Sequence, residues 1–256
     1  MMGWEVALIA VAGLWAGAIN TVVGSGTLVT FPVLVALGYP PVTATTSNAV
    51  GLITGSLTGA YGYRHELSGQ RNRVLGYAVA SFFGAIGGTV LLLSLPQDAF
   101  EVIVPWLVGI SVVLVALQPL AAKRLRTRDA AHRSGPLLYV LIFLIGVYGG
   151  YFTAAQGIML VGVMGLLLAD SLQTLNALKN ALTAVVNVVA GVIYAFVAPI
   201  SWPVVGILAA SSTLGGLLGA KVGRRLPPSV LRGTVVVIGV AAVIRLLVQG
   251  AGHPLT

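Results

Sequence analysis

The chain has 256 residues, of which 57% are hydrophobic and only 8% are charged, whereas about a quarter of the residues of a soluble domain carry a charge. Six acidic and fourteen basic residues cannot give a globule of this size a polar surface, which excludes an ordinary soluble protein and indicates an integral membrane protein. The basic residues that give the net charge of +8 do not line one aqueous face, so nucleic acid is not an expected partner. The absence of cysteine excludes disulfides, thiolate metal sites and cysteine nucleophiles.

Long apolar runs make up most of the chain, and most reach the ~20 residues that a helix needs to cross ~30 Å of hydrocarbon. Because lipid offers backbone groups no hydrogen-bond partner, we expect every run to be helical and the fold to be an all-α polytopic membrane protein. In chain order the runs cover residues 3–37, 41–63, 74–95, 100–120, 137–168, 172–197, 202–220 and 229–248.

Two of these runs are too long for one crossing and contain a glycine-rich interruption. The first is broken at Gly24-Ser25-Gly26 and the second over residues 149–157. After each break about eleven apolar residues remain, at 27–37 and 158–168, which is roughly 16 Å of helix or half a bilayer. We therefore predict two re-entrant hairpins. A fully crossing hairpin and a single tilted helix with a flexible glycine are the alternatives.

The chain also looks duplicated. We predict a first transmembrane repeat at 1–120, a basic cytoplasmic linker at 121–136 and a second repeat at 137–256, each repeat being a broken hairpin followed by three transmembrane helices. Asn48 and Gly59 are eleven residues apart, as are Asn180 and Gly191, at similar distances after the two breaks. Duplicated halves are common in secondary transporters.

The basic residues predict the topology. If both hairpins re-enter, every lysine and arginine except Arg245 falls on one side of the membrane, which the positive-inside rule assigns to the cytoplasm. Each repeat then crosses an odd number of times, so the second repeat is inverted and both termini lie outside the cytoplasm. We expect a multi-pass protein of the cell (inner or plasma) membrane.

An inverted repeat brings the two hairpin tips together near the midplane, each with the N-terminus of a short helix. Unpaired N–H groups and the positive end of the helix dipole make such a terminus an anion site. The residues predicted to form it share a position at a tip or at the start of a short arm; they are Gly24, Ser25, Gly26, Thr27, Thr153, Gln156, Gly157 and Ile158.

Polar side chains concentrate on the span after the second break. Asn176, Asn180, Thr183 and Asn187 fall within about 60° of one another on a helix. They either face the substrate path or form interhelical hydrogen bonds. Lys179 beside them is predicted to contact the substrate, the alternative being a snorkelling anchor; Asp170 could pair with it but lies nearer the aqueous edge. Asn48 is the corresponding candidate in the first repeat.

Glycines spaced four residues apart have a different interpretation. They recur on two spans and predict close helix packing rather than a binding function. They are Gly51, Gly55 and Gly59, and Gly215, Gly219 and Gly223.

The segments 24–32 (GSGTLVTFP) and 148–157 (YGGYFTAAQG), in this duplicated arrangement, resemble the sulfite exporter TauE/SafE family of membrane permeases. The resemblance covers essentially the whole chain. It implies a secondary transporter, an exporter by the family's name, of small sulfur-containing anions such as sulfite, thiosulfate or organosulfonates. The lipid bilayer is the other expected partner, no cofactor or metal is expected, and the oligomeric state, the coupling ion and the direction of transport stay open.

The other classes open to a chain of this composition are a membrane enzyme, a passive anion channel and a structural membrane subunit. A membrane enzyme would need an embedded nucleophile with a base, or a carboxylate and histidine cluster, and the chain offers neither. A passive anion channel could use the same helix ends without alternating access, and a structural membrane subunit would bind no anion. The channel and the subunit remain alternatives.

Overall fold

A computed structural model describes residues 1–126, 135–222 and 228–251. All regular structure in these residues is helical. Five stretches are long and apolar enough to cross a membrane, which confirms the predicted polytopic helical fold; they are Gly3–Val22, Arg71–Ser94, Asp98–Pro119, Leu172–Val197 and Trp202–Lys221.

The helices follow the predicted runs. Those of the first half are α1 (Gly3–Val22), α2 (Thr27–Ala36), α3 (Pro41–Gly51), α4 (Ile53–Gly62), α5 (Arg71–Ser94) and α6 (Gln97–Arg126), with a 3₁₀ turn at Arg64–Leu67. Those of the second half are α7 (Pro136–Tyr151), α8 (Gln156–Leu167), α9 (Leu172–Val197), α10 (Trp202–Val222) and α11 (Pro228–Ala251).

Both long runs are broken close to the predicted positions. Helix α1 ends before residues 23–26, and α2 begins at Thr27, the residue at which the first arm was expected to begin. Helix α7 ends before residues 152–155, and α8 begins at Gln156, two residues earlier than expected. Each long run is therefore a longer helix, a tight turn and a short helix, which rules out the single tilted helix.

Two predicted boundaries differ from the structure. The run 41–63 is divided between α3 and α4 at Leu52, whose ψ of −1° departs from the α-helical value of about −42°. The preceding Gly51 lies against Leu208, so a glycine stands where the helix is interrupted. Helix α6 continues to Arg126, into the predicted linker, because alanine, leucine, lysine and arginine favour a helix. The predicted linker residues 127–134 and the bases Arg224 and Arg225 lie outside the described residues.

Small residues form the tightest helix contacts. A Cβ on Gly17 of α1 would lie 2.3 Å from the carbonyl oxygen of Ser212, and one on Gly215 of α10 would lie 2.0 Å from that of Leu14. Between α5 and α7, a Cβ on Gly88 would lie 1.9 Å from the carbonyl oxygen of Val147. Both helix pairs run parallel, and in both the backbones approach as they do when glycine drives packing in membranes.

The same pairing pattern occurs in the two halves. Helix α1 packs on α10 as α7 packs on α5. Helix α2 packs on α11 as α8 packs on α6, and α3 and α4 pack on α10 as α9 packs on α5. The long helices therefore have their main partners in the other half, whereas the short helices α2 and α8 pack mainly on α1, α7 and α9 of their own halves.

Contacts of helix ends with each other and with loops define the two ends of the bundle. At one end Gly62 lies against Ala220, and Arg73 at the start of α5 forms an ion pair with Asp170 between α8 and α9. At the other end the hydroxyl of Thr46 donates to the carbonyl oxygen of Pro199 at 2.6 Å. The C-terminal ends of α4 and α10 consequently lie at the same end of the bundle, with Arg64 just after α4 and Lys221 in the last turn of α10.

Candidate functional site

The two breaks contact each other. The N–H of Gly157, at the start of α8, donates to the carbonyl oxygen of Gly24 at 3.2 Å. A Cβ on Gly24 would lie 2.6 Å from the Cα of Gly157, so neither residue has room for a side chain. Gly24 also has a φ of +91°, which glycine adopts without strain. Both glycines were predicted to lie at the tips, and the structure brings them into direct backbone contact.

The other tip glycines are needed for close approach rather than for unusual dihedral angles. Gly26 lies in the right-handed helical region, and a Cβ there would lie 2.4 Å from the carbonyl oxygen of Ala16. At the second tip the residue with positive φ is Thr153, at 61°, and its hydroxyl donates to the carbonyl oxygen of Gly149 at 2.7 Å. The Thr153 hydroxyl therefore bonds within its own turn.

Lys179 and Asn180 of α9 close the C-terminal end of α1. The Lys179 ammonium nitrogen Nζ donates to the carbonyl oxygens of Asn20 at 3.0 Å and Thr21 at 2.8 Å. The Asn180 side chain donates to the carbonyl oxygen of Thr21 at 3.2 Å. The last carbonyls of a helix lack intrahelical partners and carry partial negative charge, so these donors stabilise the end of α1.

The buried position of Lys179 contradicts the snorkelling interpretation. Its side chain is 0% exposed, and its amine is hydrogen-bonded inside the bundle. The suggested pair with Asp170 is wrong as well, because that carboxylate binds Arg73. A Cβ on Gly24 would lie 3.1 Å from the Cδ of Lys179, so the Lys179 side chain passes directly beside the tip contact.

Asn48 of α3 is hydrogen-bonded to the start of α2. Its side-chain N–H donates to the hydroxyl of Thr27 at 3.1 Å, and its side-chain oxygen accepts a hydrogen bond from the hydroxyl of Thr30. The predicted residues Thr27 and Asn48 are therefore neighbours. In this structure the Asn48 amide positions the short arm.

Two buried polar side chains at the tips have no partner among the described residues. Gln156 is 0% exposed, and neither atom of its terminal amide makes a hydrogen bond; Ser25 is also buried, and its hydroxyl makes none. The Gln156 amide lies against Gly149, where a Cβ would be 2.5 Å from its Cδ. An unsatisfied buried polar group costs about 1–3 kcal/mol, so these side chains indicate a site for a polar ligand.

The backbone donors differ between the arms. At the first tip the N–H groups of Ser25, Gly26 and Thr27 have no acceptor in the described part of the chain. At the second tip the N–H of Gly157 donates to Gly24, and that of Ile158 donates to the carbonyl oxygen of Ala155 at 3.1 Å. The expectation that both arms offer N–H groups to an anion therefore fits α2 only, because the corresponding donors of α8 bond within the chain.

The polar stripe of α9 faces other helices. Asn180 bonds to α1, and Asn187 donates to the hydroxyl of Ser56 on α4 at 2.5 Å. Thr183 is buried and its hydroxyl has no partner among the described residues, whereas Asn176 is only partly buried and makes no described hydrogen bond. Asn180 and Asn187 therefore form hydrogen bonds between helices, the second of the two roles predicted for the stripe. Asn176 does not lie at the tip contact.

Several residues of the site were not predicted. They are the carbonyl groups of Asn20 and Thr21, the hydroxyl of Thr30, and Tyr194, whose hydroxyl donates to the carbonyl oxygen of Gly150 at 2.5 Å. Thr30 could have been found, because it lies one turn after Thr27 on the same helix face. The carbonyl groups leave no signal in side-chain identity.

Apolar spans, interrupted helices that meet inside the bundle and a fully buried amine beside them define a polytopic helical membrane transporter. The chain matches the family model described as "Sulfite exporter TauE/SafE" over residues 9–246. The chain therefore belongs to the sulfite exporter TauE/SafE family, which is a family of membrane permeases and not of enzymes, and the resemblance seen in the glycine-rich motifs is confirmed.

Curated relatives carry transporter names. A protein of Sinorhizobium sp named "Probable membrane transporter protein ORF9" is 29% identical over 97% of this chain and 94% of its own length. A "Probable membrane transporter protein" of Haemophilus influenzae is 25% identical over 91% and 90%. "Probable membrane transporter protein YfcA" of Escherichia coli K12 is 26% identical over 93% and 88%. The similarity extends over nearly the whole chain in each case.

Proposed function

We propose that this protein is a secondary transporter, operating as an exporter, of small sulfur-containing anions such as sulfite, thiosulfate or organosulfonates. The anion binds where the two breaks meet. The observation that carries the proposal is the contact between Gly24 and Gly157, flanked by the unpartnered side chains of Ser25 and Gln156.

The donors at this contact suit an oxyanion. The N–H groups of Ser25, Gly26 and Thr27 and the positive end of the α2 dipole act together at the start of one helix. The hydroxyl of Ser25 and the amide of Gln156 can donate without adding charge. An oxyanion offers several acceptor oxygens, so these donors compensate its negative charge without leaving a fixed charge in the membrane.

Paired packing supports two inverted repeats at 1–120 and 137–256 joined by a cytoplasmic segment. Exchanging α1 for α7, α2 for α8 and α5 for α10 reproduces the main contacts of the bundle. The C-terminal ends of α4 and α10 lie at one end of the bundle with Arg64 and Lys221 beside them, which supports a topology in which that end faces the cytoplasm. Both termini then lie outside the cytoplasm, in a protein of the cell membrane.

The first experiment measures binding. Purified protein in detergent is heated with sulfite, thiosulfate, sulfate or methanesulfonate, and with chloride at equal ionic strength as the control. A ligand of the folded state raises the midpoint of thermal unfolding. We expect at least one sulfur anion to raise it and chloride not to. If none of the sulfur anions changes the midpoint or enters protein-containing liposomes, the proposed function is wrong.

A second experiment separates a carrier from a passive channel. Liposomes containing the protein are loaded with labelled anion, and efflux is followed with and without unlabelled anion outside. A carrier accelerates exchange when both sides hold substrate, because its loaded form changes conformation at every step. A channel shows no acceleration by the outside anion.

A further inference from the structure

The amine of Lys179 has uncharged partners in the described part of the chain. It is fully buried, and its described hydrogen bonds go to two backbone oxygens, those of Asn20 and Thr21. Both partners are neutral, and both are acceptors. Charged side chains inside a membrane face water or the bundle interior, or pair with an opposite charge or with backbone carbonyls, and Lys179 is of the last kind.

Counting donors distinguishes the two protonation states of this amine. A neutral amine has two N–H groups and a lone pair, and two carbonyl oxygens satisfy both donors. An ammonium has three N–H groups and a full positive charge. The third N–H then lacks an acceptor, and the end of α1 supplies only partial negative charge. The two carbonyl oxygens therefore satisfy every N–H donor of the neutral amine, whereas one N–H of the ammonium has no described acceptor.

The ionisable groups on the elements packed against α9 do not supply the third acceptor that the Lys179 ammonium lacks. Helices α3 and α8 carry none. The remaining elements, α1, α4, the 3₁₀ turn, α5 and α7, carry Glu5, Tyr61, Arg64, His65, Glu66, Arg71, Arg73, Tyr77, Tyr139, Tyr148 and Tyr151, and Tyr194 lies on α9 itself. Glu5 bonds to the N–H of Met2, and Asp170 before α9 pairs with Arg73. The acceptors of the Lys179 amine are the two backbone oxygens instead.

The missing acceptor can be supplied at the tip contact. The Lys179 side chain passes beside Gly24, and the unpaired N–H groups of Ser25, Gly26 and Thr27 follow directly in the chain. An anion held by those donors therefore lies next to the amine. Its negative charge would favour the ammonium, and the ammonium would favour the anion.

We propose that Lys179 takes up one proton when the anion binds and gives it back when the anion leaves, so that one proton crosses the membrane with each anion and export runs down an outward gradient of the anion. The proton comes from a hydronium ion of the solvent: one of its O–H bonds breaks, an N–H bond forms at the lone pair of Nζ and water is left, and release of the anion reverses the step. This inference rests on the proposed function, because it requires an anion at the tips. Linkage makes the effects reciprocal: bound anion favours protonation, and protonation raises anion affinity by the same factor.

The test measures proton uptake during binding. Thiosulfate and methanesulfonate are the probes, because their own charge does not change near neutral pH. Isothermal titration in two buffers of different ionisation enthalpy gives the number of protons taken up per anion. In the alkaline range we expect about one proton per anion and an affinity that falls about tenfold per pH unit, as one linked proton requires.

Three variants make the result specific to this amine. Lys179→Gln removes the titrating group, and Lys179→Arg keeps a permanent cation that can donate to the same carbonyls. Both are expected to bind without proton uptake, and the arginine variant guards against a loss of folding in the glutamine variant. Lys221→Gln, at an exposed lysine of α10, should retain the proton uptake of the unmodified protein.

The outcomes distinguish this inference from the proposed function. If wild-type protein binds thiosulfate or methanesulfonate with no proton uptake and no pH dependence, Lys179 is a permanently charged helix cap, and only the inference fails. If proton uptake persists in Lys179→Arg, another group is responsible, and the inference again fails. If neither anion binds at any pH, the inference fails, because it requires an anion bound at the tips. Thermal unfolding with sulfite and sulfate then decides whether the proposed function also fails.

Discussion

Gly24 and Gly157 are 133 positions apart in the chain, yet the carbonyl oxygen of the first accepts the N–H of the second at 3.2 Å. The hydrogen bond joins the break after α1 to the start of α8. It uses the backbone donor of α8 that was expected to bind an anion, while the donors at the start of α2 have no described partner. The two breaks are thus unequal in this structure, and α2 provides the open helix terminus.

Replacing Gly157 by alanine should separate the tips. Its Cβ would lie 2.6 Å from the Cα of Gly24, a backbone atom that cannot move aside alone. We expect a loss of about 1–3 kcal/mol of stability, as for other overpacked sites, together with loss of anion flux. Thermal unfolding in detergent and flux in liposomes measure both effects.

The matched control is Gly162→Ala on the same helix, where an added Cβ meets nothing within 4 Å. Alanine favours a helix over glycine, so this variant should be as stable as wild type or more stable, by up to about 1 kcal/mol. Equal flux from Gly157→Ala and Gly162→Ala would contradict the assignment of the tip contact to transport.

Gln156→Leu should change stability and binding in opposite directions. In the absence of ligand, leucine removes an unsatisfied buried amide, which costs about 1–3 kcal/mol. The unliganded variant should therefore unfold at the same or a higher temperature. Removal of the donor should weaken anion binding by about tenfold.

Thermal unfolding without thiosulfate measures the stability of the Gln156→Leu variant, and the shift that thiosulfate causes measures its anion binding. Gln173→Leu, at an exposed position of α9, serves as the control and should bind like the wild type. A Gln156→Leu protein that is strongly destabilised without ligand would show that the amide already has a structural partner.

Asp170→Asn should have only a modest effect. The ion pair with Arg73 is partly exposed, with 14% and 22% of the two side chains accessible, and such pairs contribute about 0.2–1 kcal/mol because water and salt screen them. We expect a small fall in unfolding temperature that shrinks as salt is added. Asp98→Asn, at an exposed site, should cause less change. A large loss of stability that salt does not reduce would contradict this account.

The topology can be tested with single cysteines, because the chain contains none. Cysteine at Arg71 and at Lys221 should be labelled by an impermeant maleimide only from the cytoplasmic side, and cysteine at Asp98 only from the outside. Gly62 lies against Ala220, so the first two sites belong to one end of the bundle. Labelling of Arg71→Cys and Lys221→Cys from opposite sides would overturn the inverted repeat.

The sequence predicted features that depend on local composition. A glycine-rich break followed by about eleven apolar residues placed the start of α2 correctly at Thr27, and glycines spaced four apart predicted packing surfaces, as Gly215 against Leu14 illustrates. The role of Lys179 as a cap on α1 could not be predicted. Its acceptors are backbone oxygens of a helix distant in the chain, and every residue type carries such an oxygen.

The interruption at Leu52 was missed for a related reason. The run 41–63 is long enough for one crossing and holds four glycines, so its composition does not single out one of them as a break; the break coincides with the contact between Gly51 and Leu208 of another helix. Tertiary contacts of this kind override local helix propensity. The end of α6 was predicted too early because charged residues were taken as linker, although lysine and arginine favour helices.

The pairing of α1 with α10 has a consequence for how the protein is made. Synthesis proceeds from the N-terminus, so α1 enters the membrane long before its main partner exists. Until α10 arrives, Gly13 and Gly17 face lipid without the close backbone contact that they form in the finished bundle. Helix α5 is likewise synthesised before its main partner α7, but fewer residues separate these two helices in the chain. Assembly of the first half is therefore completed only when nearly the whole chain has been inserted, and premature termination would leave α1 without its partner.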